Sequence, residues 1–169
     1  QADPLNYLWA APKNNTADHA YLVFALGRAA NTDLTSAIQT LPKALQGVPA
    51  DVQKYLNRTV GYIGGTTVMK NNFNREVLNL FDASYGVPFT PEEAEIYARQ
   101  AVRFGSWESV IRAIDSMSVS QQQEDRWQYW LARASEKRND RQSKHTAKPI
   151  YQRLAASGAE YHNLLATNH

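Results

Sequence analysis

The sequence predicts an all-α protein in which short antiparallel helix pairs stack into an α-superhelix of the helical-repeat kind, and three observations carry that expectation. Apolar residues recur at three- and four-residue intervals almost from end to end, the period of an α-helix with one buried stripe. Runs of alternating β-branched residues are nearly absent. The segments read as helices of about 10 to 18 residues joined by turns of about 2 to 6, which makes successive helices antiparallel neighbours.

Taken in order, a lead-in rich in Pro and Asn (Pro4, Pro12, Asn14, Asn15) precedes a first helix capped by Thr16 or Asp18, with Tyr21, Leu22, Ala25, Leu26 and Ala29 on one stripe. Asn31 and Thr32 break it. Asp33 opens a second helix with Leu34, Ile38, Leu41 and Leu45 aligned, where Pro42 predicts a kink or an early stop before the turn at Gly47-Val48-Pro49. A third runs from Ala50 to about Ile63 through Val52, Leu56 and Val60, and Gly64-Gly65 is expected to bend or end it. Asn72 to Ser84 is a fourth, carrying Phe73, Val77, Leu80 and Phe81.

The clearest start signal is Thr90-Pro91-Glu92-Glu93, an N-cap, a proline suited to the first helical position and a glutamate that completes a capping box. The fifth helix carries Ile96, Tyr97, Ala101 and Phe104 and ends at Gly105; Ser106 caps the sixth, with Trp107, Val110, Ile111 and Ile114. The seventh holds Asp125-Arg126-Trp127-Gln128-Tyr129-Trp130-Leu131-Ala132-Arg133-Ala134. Ala147 to Ala156 and Ala159 to Ala166 supply two more, separated at Ser157-Gly158. Tyr97-x-x-x-Ala101-x-x-x-Gly105, Trp130-x-x-x-Ala134 and Tyr151-x-x-x-Ala155 give a degenerate repeat of about 30 to 40 residues, and stacked units of that type present a curved binding surface rather than a small buried pocket.

The 169 residues suffice for one domain with a sizeable core. No apolar stretch approaches the roughly 20 residues of a membrane span. The absence of Cys excludes disulfides, thiol catalysis and thiolate metal sites, and is compatible with both cytoplasm and periplasm. Position 1 is Gln with no secretory pattern before it, so the chain is expected to be a processed or excised piece. The net charge of +2 is unevenly spread: Arg126, Arg133, Lys137, Arg138, Arg141, Lys144, Lys148 and Arg153 face Glu136 and Asp140 alone. Such a region attracts nucleic acid, an acidic protein or an anionic polysaccharide, but a solvated helix face with a basic turn is the favoured reading, and no nucleic-acid motif accompanies it. Arg126, Arg133 and Arg141 are the candidate binding residues.

Three of the four Trp lie between residues 107 and 130. On a helix Trp127 and Trp130 share a face, with Ala134 leaving room for a neighbour, so Trp107, Trp127, Tyr129 and Trp130 are expected to pack between helices rather than to stack sugars. Arg133 has two open roles, stacking on a ring or reaching an anionic partner. His19, His145, His162 and His169 lack metal-ligand spacing, and Gly64-Gly65 is not followed by the Lys-Ser/Thr of a phosphate loop; no metal and no cofactor are expected.

Trp107-Glu108-Ser109-Val110-Ile111-x-x-Ile114-x-x-Met117, followed by Arg126-Trp127-x-Tyr129-Trp130-x-Ala132-Arg133-Ala134, resembles the soluble lytic murein transglycosylases. Tyr55-Leu56-Asn57-Arg58-x-x-x-Tyr62 and Tyr151-x-x-Leu154-Ala155, with Tyr161, Leu164 and Ala166, fit the same family. The likeness covers residues 50–166 and is slight over 1–49. It implies that residues 1–169 form a single α-superhelical domain fragment, the part that helps close a ring beside a separate lysozyme-like catalytic domain. It implies a periplasmic location, and partners that are peptidoglycan glycan strands, reached through the parent enzyme, and cell-wall proteins. The family cleaves the MurNAc-GlcNAc bond to leave 1,6-anhydro-MurNAc ends without a cofactor.

The family's catalytic Glu belongs to a Glu-Ser pair that follows an apolar helix and precedes a Gly-Leu-Met-Gln type segment. Glu108-Ser109 is the Glu-Ser of this chain, but it opens a helix after Gly105 and no Gly-Leu-Met-Gln follows. No catalytic residue is therefore assigned, the catalytic domain is taken as absent, and the chain is expected to be inactive alone. The alternative is a general helical-repeat protein-binding adaptor, for which no Glu-Ser motif is needed beyond His169.

Overall fold

In the computed structural model the described residues are 16–68, 75–138 and 141–156, and the side chains of residues 16, 67, 68 and 141–146 lie outside the description. Trp9, the residues around Asn72 and Phe73, Ser157-Gly158 and the expected helix Ala159–Ala166 fall outside the described residues. The rest is all-α, as the periodicity predicts, with no strand among the described residues. The chain divides into two compact units, Gln1–Val87 and Pro88–His169, a boundary that the reading as one domain does not draw.

The first unit holds α1 (Thr16–Thr32), α2 (Leu34–Ala44), α3 (Ala50–Val68) and α4 (Arg75–Ala83). A single residue, Asp33, makes the first corner: its amide donates to Ala29 O at 2.8 Å, while its carboxylate accepts from Ser36 N at 3.1 Å and Ser36 Oγ at 2.6 Å. Those bonds, the side-chain one foremost, hold its carboxyl below the usual value. Asp33 thus ends one helix and caps the next. The core joins Leu22, Ala25, Leu26 and Ala29 of α1 to Ala37 and Leu41 of α2 and to Leu56 and Val60 of α3. α2 carries Pro42 inside it and ends two residues later at Ala44, with Leu45 as its C-cap donating to Leu41 O at 2.9 Å.

Two expectations for this unit fail. Gly64-Gly65 does not end α3, which continues to Val68. A Cβ at Gly64 would lie 2.7 Å from Val77 Cγ2 and 3.3 Å from Leu34 Cδ2, so the missing side chain leaves room for both α2 and α4 against α3. Tyr21 does not join the buried stripe of α1; it is exposed, as are Phe24 and Arg28 on the same side.

The second unit holds α5 (Pro91–Arg103), α6 (Trp107–Asp115), α7 (Val119–Gln122), α8 (Asp125–Lys137) and α9 (Arg141–Ala156). The capping box at α5 forms as predicted: Glu93 N donates to Thr90 Oγ1 at 3.3 Å and Thr90 N to Glu93 Oε2 at 2.7 Å. Gly105, at φ +62°, takes the left-handed position that ends the helix. Ser106 sits at the N-cap of α6 but its hydroxyl caps nothing; it meets Ser109 Oγ at 2.8 Å. The polar spacer after Met117 contains a further short helix, α7, with its own Ser118/Gln121 capping box, tied to the start of α5 by Gln121 Nε2 donating to Pro91 O at 2.9 Å. α9 begins six residues before the expected Ala147, so the basic residues Arg141 and Lys144 belong to a helix rather than to a turn. α8 packs against both α6 and α9.

Candidate functional site

Every described candidate side chain of the Trp motif projects from α8 or from the start of α6. Trp127 is buried at 3% exposure, and its indole Nε1 finds no hydrogen-bond partner among the described residues. Tyr129 and Ala132, on another side of α8, pack with Ala147, Tyr151 and Leu154 of α9, with Trp130 and Ile150 at the edge. Trp130 meets Tyr129 edge-on at 5.3 Å and is only partly buried, as is Trp107. Tyr129 and Tyr151 rings lie 6.1 Å apart, and burial, then the nearby Glu136, pushes the Tyr151 phenol up to about 12. It therefore stays protonated in any physiological buffer. α8 is apolar on two sides, because it lies between two helices.

Three described cations of this segment, Arg126, Arg133 and Arg138, pair with carboxylates. Arg126 donates Nε to Glu124 Oε2 at 2.7 Å and its two terminal nitrogens to the two oxygens of Glu95 at 3.2 Å each, with the guanidinium 4.9 Å above the Trp127 ring. Glu95 also pairs with Arg99. Arg133 pairs with Glu136 at 3.3 Å, and Arg153 donates to Gln128 Oε1 at 3.1 Å. The side chain of Arg141 lies outside the described residues. Arg126 and Arg133 are thus held within ion pairs of their own unit, and the structure does not gather the three candidate binding arginines into one described cluster.

Glu108 is 52% exposed, 3.7 Å from Arg112 and 3.4 Å from Arg138. A glycosidic acid needs a carboxyl kept partly protonated by burial. Glu108 has no such burial: it is exposed and paired with two guanidinium groups.

A second aromatic-arginine set, which the sequence reading missed, lies in the first unit. Tyr21, Phe24 and Arg28 share one face of α1, and Tyr55, Arg58 and Tyr62 share one face of α3. Arg28 lies over the Phe24 ring at 6.0 Å and Arg58 over the Tyr55 ring at 4.9 Å. Phe24 is 60% exposed, Tyr21 39% and Tyr55 37%. A signal was present in the sequence: Tyr21-Leu22-x-x-x-Leu26-Gly27 recurs 34 positions later as Tyr55-Leu56-x-x-x-Val60-Gly61. That spacing is typical of a helix-turn-helix repeat.

No protein-family model matches the chain, and no curated protein matches it. Among solved structures it is similar to an inactive variant of the lytic transglycosylase Slt from Pseudomonas aeruginosa, with a TM-score of 0.60 at 19% identity. The match covers 96% of this chain and 25% of the Slt chain, so this chain spans about a quarter of the length of the protein it resembles. What the two share is an all-helical fold.

Proposed function

We propose that this chain is a non-catalytic scaffold segment of a periplasmic peptidoglycan lytic transglycosylase, one that helps shape a ring and guides glycan or a partner protein past a catalytic domain carried elsewhere. The observation that carries the reading is the fold likeness to Slt over nearly the whole chain and a quarter of that enzyme. The Trp107 to Ala134 string, with its resemblance to the same family, supports it independently of the fold. Exposure of Glu108 between Arg112 and Arg138 supports the non-catalytic part.

The test is incubation of the purified chain with intact peptidoglycan sacculi, followed by sedimentation and chromatography of the supernatant. The expected result is retention of the chain on the sacculi without release of 1,6-anhydro fragments. Release that disappears in Glu108→Gln overturns the scaffold assignment, and a chain that stays wholly in the supernatant overturns the association with peptidoglycan.

A further inference from the structure

The outward faces of α1 and α3 form one strip, and its register follows from two contacts. Leu34, directly beyond the C-terminal end of α1, lies against Gly64 in the last turns of α3, so the two helices run parallel. A Cβ at Gly27 would lie 3.7 Å from Ile63 Cδ1 and 3.9 Å from Thr59 Cγ2, which sets Gly27 beside Gly61. The same register places Tyr21 beside Tyr55 and Phe24 beside Arg58, opposite the buried side of α1 that carries Leu22, Ala25, Leu26 and Ala29. Packed helices lie about 8–10 Å apart, so the strip repeats a ring and a guanidinium at about the rise of three residues of extended chain.

The chemistry of the strip favours an anionic chain with apolar faces. Arg28 makes no ion pair among the described residues, although it is exposed. The exposed Arg28 guanidinium is placed to take a carboxylate through two parallel hydrogen bonds, whereas Arg58 is half-buried with its Nε enclosed and adds positive charge to the same face. Among the described residues of α1 and α3 the carboxylates, Asp18 and Asp51, each sit one turn before a tyrosine, Tyr21 and Tyr55, at the N-terminal end of the strip, so the arginine-bearing part is positive. A neutral sugar platform asks for an open ring face, whereas here a guanidinium lies over the ring of both Phe24 and Tyr55.

We propose that this strip, Tyr21, Phe24 and Arg28 with Tyr55 and Arg58, is a docking site for a short carboxylate-bearing peptide in extended form. Resting on the peptidoglycan reading above, the occupant is the acidic peptide that peptidoglycan carries on its glycan. The strip reads the peptide rather than the sugar, through charge-assisted hydrogen bonds from Arg28, the positive charge of Arg58 and apolar contact with the rings.

The experiment is isothermal titration of the intact chain with three probes: a soluble disaccharide-peptide fragment of peptidoglycan, the synthetic Ala-γ-Glu-diaminopimelate peptide alone, and glycan stripped of peptide by an amidase. Both peptide-bearing probes are expected to bind, the stripped glycan at least about tenfold more weakly, and Arg28→Glu to weaken the peptide by about tenfold or more. Raising ionic strength from about 0.05 to 0.5 M should weaken it too, whereas Arg28→Lys should retain part of the affinity. Helical circular dichroism of the variants, unchanged from wild type, confirms that folding is intact. Stripped glycan binding as tightly as the peptide-bearing probes, or peptide affinity unaltered in both Arg28→Glu and Arg58→Glu, overturns the proposal. Sacculus retention separates the two readings: variants held as firmly as wild type overturn only the peptide strip, while a wild-type chain not retained at all overturns the peptidoglycan reading with it.

Discussion

Two aromatic-arginine sets built from similar residues differ in burial. On α8, Trp127 is buried and Arg126, stacked on it, is held by Glu95 and Glu124. On α1, Phe24 is exposed and Arg28, stacked on it, has no ion pair among the described residues. A ring with a cation beside it is therefore not diagnostic of a site. What separates the two is the surroundings: α8 alternates its rings with Ala132 and Ala134 and has a helix on either side, while Tyr21, Phe24 and Arg28 of α1 are exposed. Carboxylates that hold the guanidinium mark the structural set, whereas Arg28 has no ion pair among the described residues.

The largest effect that tests this contrast is Trp127→Ala. Removing a buried indole leaves a cavity between helices and should cost about 3–5 kcal/mol, read from urea unfolding of the chain followed by circular dichroism. Trp130→Ala, at a site the sequence reading treats as equally buried, should cost less, because Trp130 is only partly buried. Equal losses at the two positions would mean that the exposure difference between them has no energetic content. Arg126→Ala should weaken the same unit by a smaller amount, since its ion pairs are partly exposed.

The sequence made the helical class and most helix starts readable, because capping and periodicity are local. Thr90-Pro91-Glu92-Glu93 defines its N-terminus without help from the rest of the chain. The failures are where tertiary contact decides. Gly64 reads as a breaker by propensity, but its role is set by Val77 and Leu34, which are distant in sequence. Tyr21 fits an apolar stripe by composition, yet it lies about 100° from Leu22 around the helix, the angle that separates core from solvent. The basic segment looked like one patch because sequence shows neighbours along the chain and hides partners such as Glu95, 31 positions from Arg126. The strip on α1 and α3 was legible only as a 34-residue echo, and needed the parallel register to become a surface.

A second, intermediate effect shows where the first unit draws its stability. Gly64 lies on the side of α3 away from Tyr55, in contact with both neighbours. Gly64→Ala gains about 1 kcal/mol of helix propensity but forces a methyl to within 2.7 Å of Val77, a β-branched side chain with little rotamer freedom. Overpacking of this kind costs about 1–3 kcal/mol, so the variant should be destabilised or near neutral, never stabilised by the full propensity gain. Gly61→Ala, whose nearest neighbour would be Leu80 Cβ at 3.4 Å, should be the milder change. Adding Val77→Ala to Gly64→Ala should recover part of the loss; no recovery would mean that the close approach is not what makes the glycine necessary.

The smallest expected effect is the most informative about function. Phe24→Ser removes the most exposed ring of the strip, whose loss costs an exposed cation-π contact and little burial. Stability should change by no more than about 0.5 kcal/mol, against several for Trp127→Ala, when both are followed in the same urea titration. A loss of about 2 kcal/mol or more would show that Phe24 is covered in solution and belongs to packing, which removes the strip as an available surface. A neutral result leaves a large apolar side chain that folding does not require, placed on a helix face beside an unengaged guanidinium. Natural surfaces carry isolated exposed rings without consequence, but here three rings, Tyr21, Phe24 and Tyr55, share one register with two arginines. Stability independent of Phe24, together with peptide affinity dependent on it, is the combination that separates a binding face from a packing face on these two helices.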